Sequence, residues 1–268
     1  MPGTVRTLII TGVGLNCEKE TSKAFELAGA ETSLIHLNDL IQTDNPLEKF
    51  HILAFIGGFS YGDHLGAGTV FANKLKFKLG DKLKSFVENG GLAIGICNGF
   101  QTMTRLGILP ALNGFDLEQK VALAHNDSAL FRDDWVSLKA ESTSPCVFTK
   151  GMDAIRLPIR HGEGKFTADK NILEQLENEK LVALRYTTPD GNPANGKFPD
   201  NPNGSANDIA GICDPSGRVF GMMPHPEAFL SPMNSPDWTR DDEQSTTAKN
   251  GAGLAFFENA VNHIRGAR

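Results

Sequence analysis

Cysteine is scarce in this sequence, and its spacing argues against two kinds of structural site. The four cysteines, Cys17, Cys97, Cys146 and Cys213, lie far apart along the 268 residues. No two of them have the Cys-x-x-Cys spacing that is typical of zinc sites, and four scattered thiols do not make the pattern of a small disulfide-rich domain. We therefore expect no metal site and reduced thiols, as in a cytoplasmic protein.

Long apolar runs and an excess of positive charge are also missing. The sequence has no apolar run of about 18 residues, so we expect no membrane span. Its first residues lack a basic segment followed by an apolar one, so we expect no signal peptide. A formal net charge of −6 argues against a nucleic-acid partner.

Strand-like and helix-like patterns alternate in the first half of the chain. Short apolar runs predict strands at residues 5–11, 32–37, 51–56 and 92–96, and helical spacing follows the first and third of them. Such alternation predicts an α/β fold of the flavodoxin-like kind, in which helices cover both faces of a mostly parallel central sheet. Sites in such sheets form at the carboxyl ends of the strands.

The pattern changes after Pro110. Strands are predicted at residues 121–124, 135–138, 154–159 and 181–185 without long helices between them, and residues 209–213 and 218–223 read as a hairpin. We expect this half to extend the same sheet in an antiparallel manner. Residues 187–208 predict a loop, and residues 230–249 a polar, mobile segment. A closing helix is predicted at residues 253–264. No linker is evident, so we expect one domain over residues 1–268.

A cysteine with small neighbours follows the fourth predicted strand. Residues 95–99 read Gly-Ile-Cys-Asn-Gly, the thiol counterpart of the Gly-x-Ser-x-Gly nucleophile elbow. A sharp strand-to-helix turn needs small neighbours, and the free N–H groups at the start of the helix favour the thiolate of Cys97. Taken alone, the motif is also compatible with a buried core cysteine.

A nucleophilic thiol needs a base, and His225 is the best candidate among seven histidines. It lies at a predicted strand end within Pro-His-Pro-Glu at residues 224–227. Residues two apart in an extended segment project to the same side, so Glu227 can orient the imidazole. Cys97, His225 and Glu227 thus form a candidate catalytic triad. The alternative is an exposed histidine beside a solvated glutamate.

Acyl chemistry also needs N–H donors for the developing oxyanion. The backbone N–H of Asn98, directly after the candidate nucleophile, is one candidate. Gly58, at the end of the third predicted strand, is the other, because glycine lets the backbone approach a ligand closely. Alternatively, the two glycines at positions 57 and 58 only form a turn.

Four motifs occur in order over most of the chain. They are Gly-Gly-Phe-Ser-Tyr-Gly-Asp at residues 57–63, Gly-Ile-Cys-Asn-Gly-Phe-Gln at 95–101, His-Gly-Glu-Gly at 161–164 and Pro-His-Pro-Glu at 224–227. Together they resemble the class I, triad-type glutamine amidotransferases. The first and third motifs, with residues 186–207, are similar more narrowly to the glutaminase components of phosphoribosylformylglycinamidine synthases of purine biosynthesis.

This resemblance implies roles for individual residues. Cys97 would attack the carboxamide of L-glutamine and form a glutamyl thioester, His225 would carry the proton, and Glu227 would orient His225. Besides Gly58, the residues implied to line the glutamine pocket are Gln101, His161, Gly162 and Glu163. Cys17, in a segment that resembles the family's first strand-to-helix loop, is interpreted as structural.

The resemblance also implies a partner. The released ammonia would pass to a large synthetase subunit, which uses ATP and Mg²⁺ to aminate formylglycinamide ribonucleotide; the need for a small third subunit stays open. We expect no cofactor on this chain. Two alternatives share the elbow: redox or peptidase-like proteins related to Pfp-I, and γ-glutamyl hydrolases. The late Pro-His-Pro-Glu argues against the first, and the motif at residues 57–63 against the second.

Overall fold

The computed structural model describes residues 3–240 and 250–267. The first half of the chain alternates strands and helices: β1 (Arg6–Thr11), α1 (Glu18–Leu27), β2 (Glu31–His36), α2 (Leu37–Gln42), β3 (Ile52–Phe55), α3 (Thr69–Glu88), β4 (Leu92–Ile96) and α4 (Asn98–Leu106). The second half contains β5 (Val121–Ala124), β6 (Arg132–Ala140), β7 (Ala154–His161), β8 (Lys165–Ala168), α5 (Lys170–Asn178), β9 (Val182–Thr187), β10 (Ile209–Cys213), β11 (Val219–Met222) and α6 (Leu254–Gly266).

A nine-stranded sheet forms the centre of the molecule, in the order β2-β1-β3-β4-β11-β10-β9-β6-β7. The first five strands in this order pair in parallel, and each later pair is antiparallel. The predicted α/β fold and its antiparallel extension are therefore confirmed. In this order, the strand that follows β1 in sequence, β2, lies beyond one edge of the β1–β3 pair, and the strand that follows β3, β4, lies beyond the other. The loops at the carboxyl ends of β1 and β3 therefore border a topological switch point.

Complete burial of the inner strands explains their sequences. Every residue of β3 and β4 is buried, as the uninterrupted apolar runs predict. Helix α3 turns a regular stripe toward the core, with buried residues every four positions: Phe71, Leu75, Leu79, Leu83 and Val87. Helices α1 and α6 pack together through the rings of Phe25 and Phe257, whose centroids lie 4.9 Å apart.

One expectation about the second half is wrong in detail. Strand β5 does not join the central sheet but pairs with β8 in a separate two-stranded sheet. This small sheet packs on α4, where the rings of Phe100 and Phe166 stack with centroids 6.4 Å apart, so α4 separates it from the main sheet. The connections in this half carry one short helix, α5, of nine residues; Leu176 is its one buried side chain, which leaves little periodic signal in the sequence.

The structure describes all of the polar segment at residues 187–208, but only part of the segment at residues 230–249. Residues 188–205 lack strands and α-helices, as predicted, and a 3-10 turn follows at Ala206–Asp208. Within residues 230–240, a 3-10 turn spans Pro232–Asn234, and Asp237 pairs with Arg156 at 2.6 Å. The remainder of the segment predicted to be mobile, residues 241–249, lies outside the described residues. Across the described chain, no helix is long and apolar enough to cross a membrane.

Candidate active site

Cys97 occupies a strained turn between β4 and α4. Its backbone has φ 52° and ψ −106°, and its N–H donates to the carbonyl oxygen of Met222 at 2.8 Å. The glycines around it are needed sterically: a Cβ on Gly95 would collide with the sulfur of Met103, and one on Gly99 with the carbonyl oxygen of Phe55. The positive φ places Cys97 in the strained conformation expected of a nucleophile elbow.

The Cys97 side chain is 5% exposed and lies at the carboxyl end of the parallel sheet. Its sulfur is 3.5 Å from the carbonyl oxygen of Arg160, which lies near the end of β7. Helix α4 starts at Asn98, so the N–H groups of its first turn and the positive end of its dipole face the thiol.

His225 and Glu227 form a buried pair at the end of the neighbouring strand β11. Nδ1 of His225 lies 2.5 Å from Oε1 of Glu227, and both residues are nearly inaccessible. The expected mode of pairing is wrong, because Pro226–Ala228 is a 3-10 turn and not an extended segment. The turn brings the carboxylate back to the imidazole, and the backbone N–H of His225 is fixed by the carbonyl oxygen of Pro158 at 2.8 Å.

The environment of His225 favours its protonated form. Burial alone acts to lower the pKa of this imidazole, but the Glu227 carboxylate and the Cys97 sulfur together raise the pKa well above its ordinary value. Among the described residues, Nε2 of His225 and Oε2 of Glu227 are buried without a hydrogen-bond partner. Because β11 pairs with β4, with Met222 opposite Ile96, His225 and Cys97 follow adjacent strand ends. The pair can therefore exchange a proton with the thiol.

The two candidate oxyanion residues also follow adjacent strands, β3 and β4. Gly58 has φ +139° and forms an isolated bridge with Leu15, and a Cβ on Gly58 would lie 2.6 Å from Cα of Leu15. Asn98 ties the two strand ends together with its side chain. Its Oδ1 accepts from the N–H of Ser60 at 3.3 Å, and its Nδ2 donates to Oδ1 of Asp63 at 3.1 Å.

The candidate pocket residues meet at the turn after β7. Nε2 of Gln101 donates to the carbonyl oxygen of Glu163 at 2.6 Å, and the Glu163 carboxylate accepts from the N–H of Ala67 at 3.2 Å. The carbonyl oxygen of Gly162 accepts from the N–H of Asn126 at 2.9 Å. The structure thus brings Gln101, Gly162 and Glu163 together, while the imidazole of His161 is buried within the turn.

Asn126 holds this turn and was missed by sequence reasoning. Its Nδ2 donates to the carbonyl oxygen of His161 at 2.9 Å, and its Oδ1 lies 3.1 Å from both the N–H of Gly164 and Nδ1 of His161. Because Oδ1 is an acceptor, the Nδ1 of His161 carries the proton. Burial, reinforced by the nearby His225, lowers the pKa of His161 to about 3, so the ring is neutral. No spacing rule connects an isolated asparagine to a turn 35 residues later.

The loop at residues 187–208 supports the same turn from behind. Nδ2 of Asn203 donates to the carbonyl oxygen of Gly164 at 2.9 Å and to the hydroxyl of Tyr186 at 3.2 Å. The hydroxyl of Ser205 donates to Oδ1 of Asn203 at 2.7 Å and accepts from the N–H of Phe166 at 2.9 Å. Asn203 and Ser205 are both buried. Two buried residues of the long loop therefore support the turn of the candidate site.

Cys17 lies in the site, although the sequence suggested a purely structural role. Its sulfur, a ring nitrogen of His225 and a carboxylate oxygen of Glu227 lie within 4.8 Å of one another. This is the one group of metal-type ligands found among the described residues. Burial raises the pKa of the Cys17 thiol, so it is protonated at neutral pH.

Comparison with known proteins agrees with this geometry. Residues 4–264 match the family described as the CobB/CobQ-like glutamine amidotransferase domain. The phosphoribosylformylglycinamidine synthase subunit PurQ of Methanococcus maripaludis is 44% identical, and that of Dehalococcoides mccartyi is 45% identical. The alignments cover 97% of this chain in both cases, and 97% and 98% of the respective relatives.

A solved structure shares the fold along the full length. A chain of PurLQS from Thermotoga maritima is 28% identical and superposes with a TM-score of 0.70, covering 98% of this chain and 100% of its own. The match over residues 4–264 and the two relatives above 40% identity extend well beyond the motifs around the thiol. The chain belongs to the CobB/CobQ-like glutamine amidotransferase family.

Proposed function

We propose that this chain is the glutaminase subunit of a phosphoribosylformylglycinamidine synthase. The observation that carries the chemistry is the glycine-flanked thiol of Cys97 beside the buried His225–Glu227 pair at adjacent strand ends. The narrower assignment rests on the PurQ relatives, which match nearly the whole chain. L-Glutamine is the substrate, and glutamate and ammonia are the products.

The reaction follows from the positions of these groups. The thiolate of Cys97 attacks the side-chain carbonyl carbon of glutamine, and the proton of the thiol passes to Nε2 of His225. His225 returns this proton to the departing nitrogen, so ammonia leaves and a glutamyl thioester remains. Water, deprotonated by the same ring, then releases glutamate and restores the thiol. Glu227 holds the ring through Nδ1 and stabilises its charge.

Two backbone donors serve the tetrahedral intermediates. The N–H groups of Gly58 and Asn98 stabilise the negative oxygen that develops on the attacked carbonyl. Gln101 and the turn of His161, Gly162 and Glu163 form the wall that holds the rest of the glutamine. Asn126 and Asn203 act through this wall and do not touch the substrate.

The ammonia is consumed on another chain. The relatives are synthase subunits, and PurLQS of Thermotoga maritima is a structural neighbour. We therefore assign as partner a synthetase subunit that binds ATP and Mg²⁺ and aminates formylglycinamide ribonucleotide, with the small third subunit as a further component to be tested. This chain itself uses no cofactor in the proposed reaction.

Reconstitution tests the proposal. The chain is mixed with the synthetase subunit of its source, with and without a small third subunit, and amination of formylglycinamide ribonucleotide is followed with glutamine or ammonium chloride as nitrogen donor. We expect Cys97→Ser to abolish the glutamine-dependent rate and to leave the ammonium-dependent rate intact. A glutamine-dependent rate that survives Cys97→Ser would contradict the role of Cys97. Glutamine hydrolysis without amination in any mixture would contradict the synthase assignment.

A labelling experiment locates the nucleophile independently of the partner. A diazo-ketone analogue of glutamine is expected to add its mass at Cys97, because this thiol lies at the nucleophile elbow directly before the proposed oxyanion donor Asn98. Peptide mass spectrometry after the reaction identifies the modified residue. Label on Cys17, Cys146 or Cys213 with Cys97 unmodified would overturn the assignment.

A further inference from the structure

Three different ligand types lie together beside Gly57. A Cβ on Gly57 would lie 2.8 Å from Cε1 of His225 and 3.0 Å from Sγ of Cys17, so the thiol and the ring edge both pack against this glycine. Glu227 closes the group: its carboxylate, the Cys17 sulfur and a nitrogen of His225 lie within 4.8 Å of one another. The proposed reaction uses His225 and Glu227 but has no step for Cys17.

We infer that Cys17, His225 and Glu227 form an inhibitory site for a borderline-soft divalent cation such as Zn²⁺. Zinc binds thiolate at about 2.3 Å, imidazole at about 2.0 Å and carboxylate at about 2.1 Å in tetrahedral geometry. Two ligand atoms on one ion are then roughly 3.5 Å apart. The three groups therefore reach a shared ion through small side-chain rotations, and a water completes the coordination.

The donor set selects the kind of ion. A thiol and an imidazole suit Zn²⁺, Co²⁺ or Cd²⁺, whereas Mg²⁺ and Ca²⁺ prefer oxygen ligands. The Oε2 atom of Glu227 is buried and without a hydrogen-bond partner among the described residues, so the carboxylate has an oxygen to offer. Cys17 is the half-buried N-cap residue of helix α1, and its sulfur lies on the side of Gly57 and His225.

The bound ion would inhibit the proposed reaction by changing the protonation of His225, the proposed base. The Cε1–Nδ1 edge of His225 faces Gly57, and Nδ1 is the atom bound to Glu227. When the ion takes Nδ1, the Cys17 thiol and the Nδ1 atom each release a proton to solvent, and the ring keeps its proton on Nε2. Nε2 then has no lone pair for the Cys97 proton, so the nucleophile is no longer activated. Only this consequence rests on the proposed function; ion binding does not.

Cobalt spectroscopy tests the binding. Co²⁺ is titrated into the Cys97→Ser and Cys17→Ser proteins, and a sulfur-to-cobalt charge-transfer band in the near ultraviolet reports a thiolate ligand. We expect Cys97→Ser to show the band at one equivalent and Cys17→Ser to lose it. Competition with a chromophoric chelator should show that Cys17→Ser and Cys17→Ala weaken Zn²⁺ binding by an order of magnitude or more.

Two outcomes would overturn the inference. If the band is lost in Cys97→Ser and kept in Cys17→Ser, the ion is held by the nucleophile and not by Cys17. If neither variant nor the unaltered protein binds the ion, no site exists. Thermal unfolding of both variants, with Cys17→Ala as a second substitution, shows whether a lost band reflects a lost ligand or a lost fold.

The effect on the reaction gives a separate readout. With saturating partner and varied glutamine, Zn²⁺ should lower kcat reversibly without changing KM, because the glutamine pocket stays open, and a chelator should restore the rate. Cys17→Ala, compared with its own metal-free rate, should resist this inhibition. Equal sensitivity of both proteins to Zn²⁺ would contradict the inference. A cobalt band that depends on Cys17 in a chain without glutaminase activity would instead uphold the site and refute the proposed function.

Discussion

The side-chain amide of Gln101 donates a hydrogen bond of 2.6 Å to the carbonyl oxygen of Glu163. The two residues are 62 positions apart, and the bond joins the first turn of α4, directly after Cys97, to the turn after β7. Gln101 is 4% exposed, and its Oε1 accepts from Nδ2 of Asn98 at 3.0 Å. One buried amide therefore sets the distance between the candidate nucleophile and the wall of the candidate glutamine pocket.

This relationship predicts a defect in substrate binding for Gln101→Glu. The substitution keeps the shape but places a carboxylate oxygen against the Glu163 carbonyl, which forfeits about 1–3 kcal/mol of pairing. We expect KM for glutamine to rise by roughly 10- to 100-fold with a smaller change in kcat. Steady-state glutaminase kinetics in the presence of the partner provide the measurement.

Gln119→Glu is the matched control for this change. Its Nε2 donates to a carbonyl oxygen in the same way, at 3.1 Å to Val121. The two residues before Gln119 pack against Gly107, at the end of α4 opposite Cys97. A KM that does not move in Gln101→Glu, or that moves equally in Gln119→Glu, would show that the bond does not position the pocket.

The His225–Glu227 pair predicts non-additive losses. His225→Ala removes the proposed base and should abolish formation of the thioester. Glu227→Gln leaves the base but weakens its orientation and lowers its pKa, so a smaller loss is expected. Because the two residues act as a unit, the double variant should be no slower than His225→Ala alone. The rate of Cys97 labelling by the diazo-ketone measures this step; a double variant that loses the product of the two single effects would indicate independent roles.

Much of the site could be predicted from the sequence because its signals are local. Small neighbours around Cys97 are required within one turn, and the strained φ of 52° confirms the reason for them. His225 and Glu227 are two residues apart, so their pairing was expected even though the segment is a 3-10 turn and not extended. The apolar runs of β3 and β4 are local signals as well, and they predicted these two central strands.

The remainder depends on contacts between distant parts of the chain. Nothing near Asn126 in the sequence indicates that it holds a turn 35 residues later. Cys17 reaches the His225–Glu227 pair because the loop after β1 pairs with Gly58 across the switch point of the sheet. Likewise, an apolar run such as β5 does not reveal which strand it joins, and the packing of α4 decides that it pairs with β8.

For the substitution Gly58→Ala, we expect a larger effect on activity than on the stability of the protein. An alanine there would have to adopt φ +139° and would place Cβ 2.6 Å from Cα of Leu15, which shifts the proposed oxyanion donor. We expect Gly58→Ala to lower kcat by roughly 100-fold or more, the size seen when one oxyanion donor is lost. Gly191→Ala is the control, because Gly191 also has a positive φ, +80°, but no atom within 4 Å of the added carbon.

The control separates backbone strain from catalysis. Gly191→Ala should cost about 1 kcal/mol of unfolding free energy and leave kcat unchanged. Urea unfolding and glutaminase kinetics on both variants supply the two readouts. Equal kcat values for the two alanine variants would remove Gly58 from the proposed oxyanion hole.

The lowered pKa of His161 predicts that the folded protein loses stability in acid. Its pKa is lowered to about 3 in the folded protein, whereas an unfolded histidine titrates near 6.5. Between these values the unfolded state binds the extra proton, so the stability that neutral His161 contributes is present above about pH 6.5 and is lost as the pH falls toward 3. The slope approaches about 1.4 kcal/mol per pH unit between pH 6 and 4. His225 adds little slope below about pH 5.5, because its raised pKa keeps it protonated in the folded state and the unfolded ring, which titrates near 6.5, is also mostly protonated there.

His161→Asn isolates this contribution from that of the carboxylates. Asparagine has an amide donor close to the position of Nδ1, so it can keep the bond to Oδ1 of Asn126 without a titrating ring. We expect urea unfolding between pH 6 and 4 to show a shallower decline for His161→Asn than for the unaltered protein, by about 1 kcal/mol per pH unit. Parallel declines would mean that the folded protein accommodates a charged His161. Such a result would be incompatible with a ring held neutral by burial, by the proton on Nδ1 and by the nearby charge of His225.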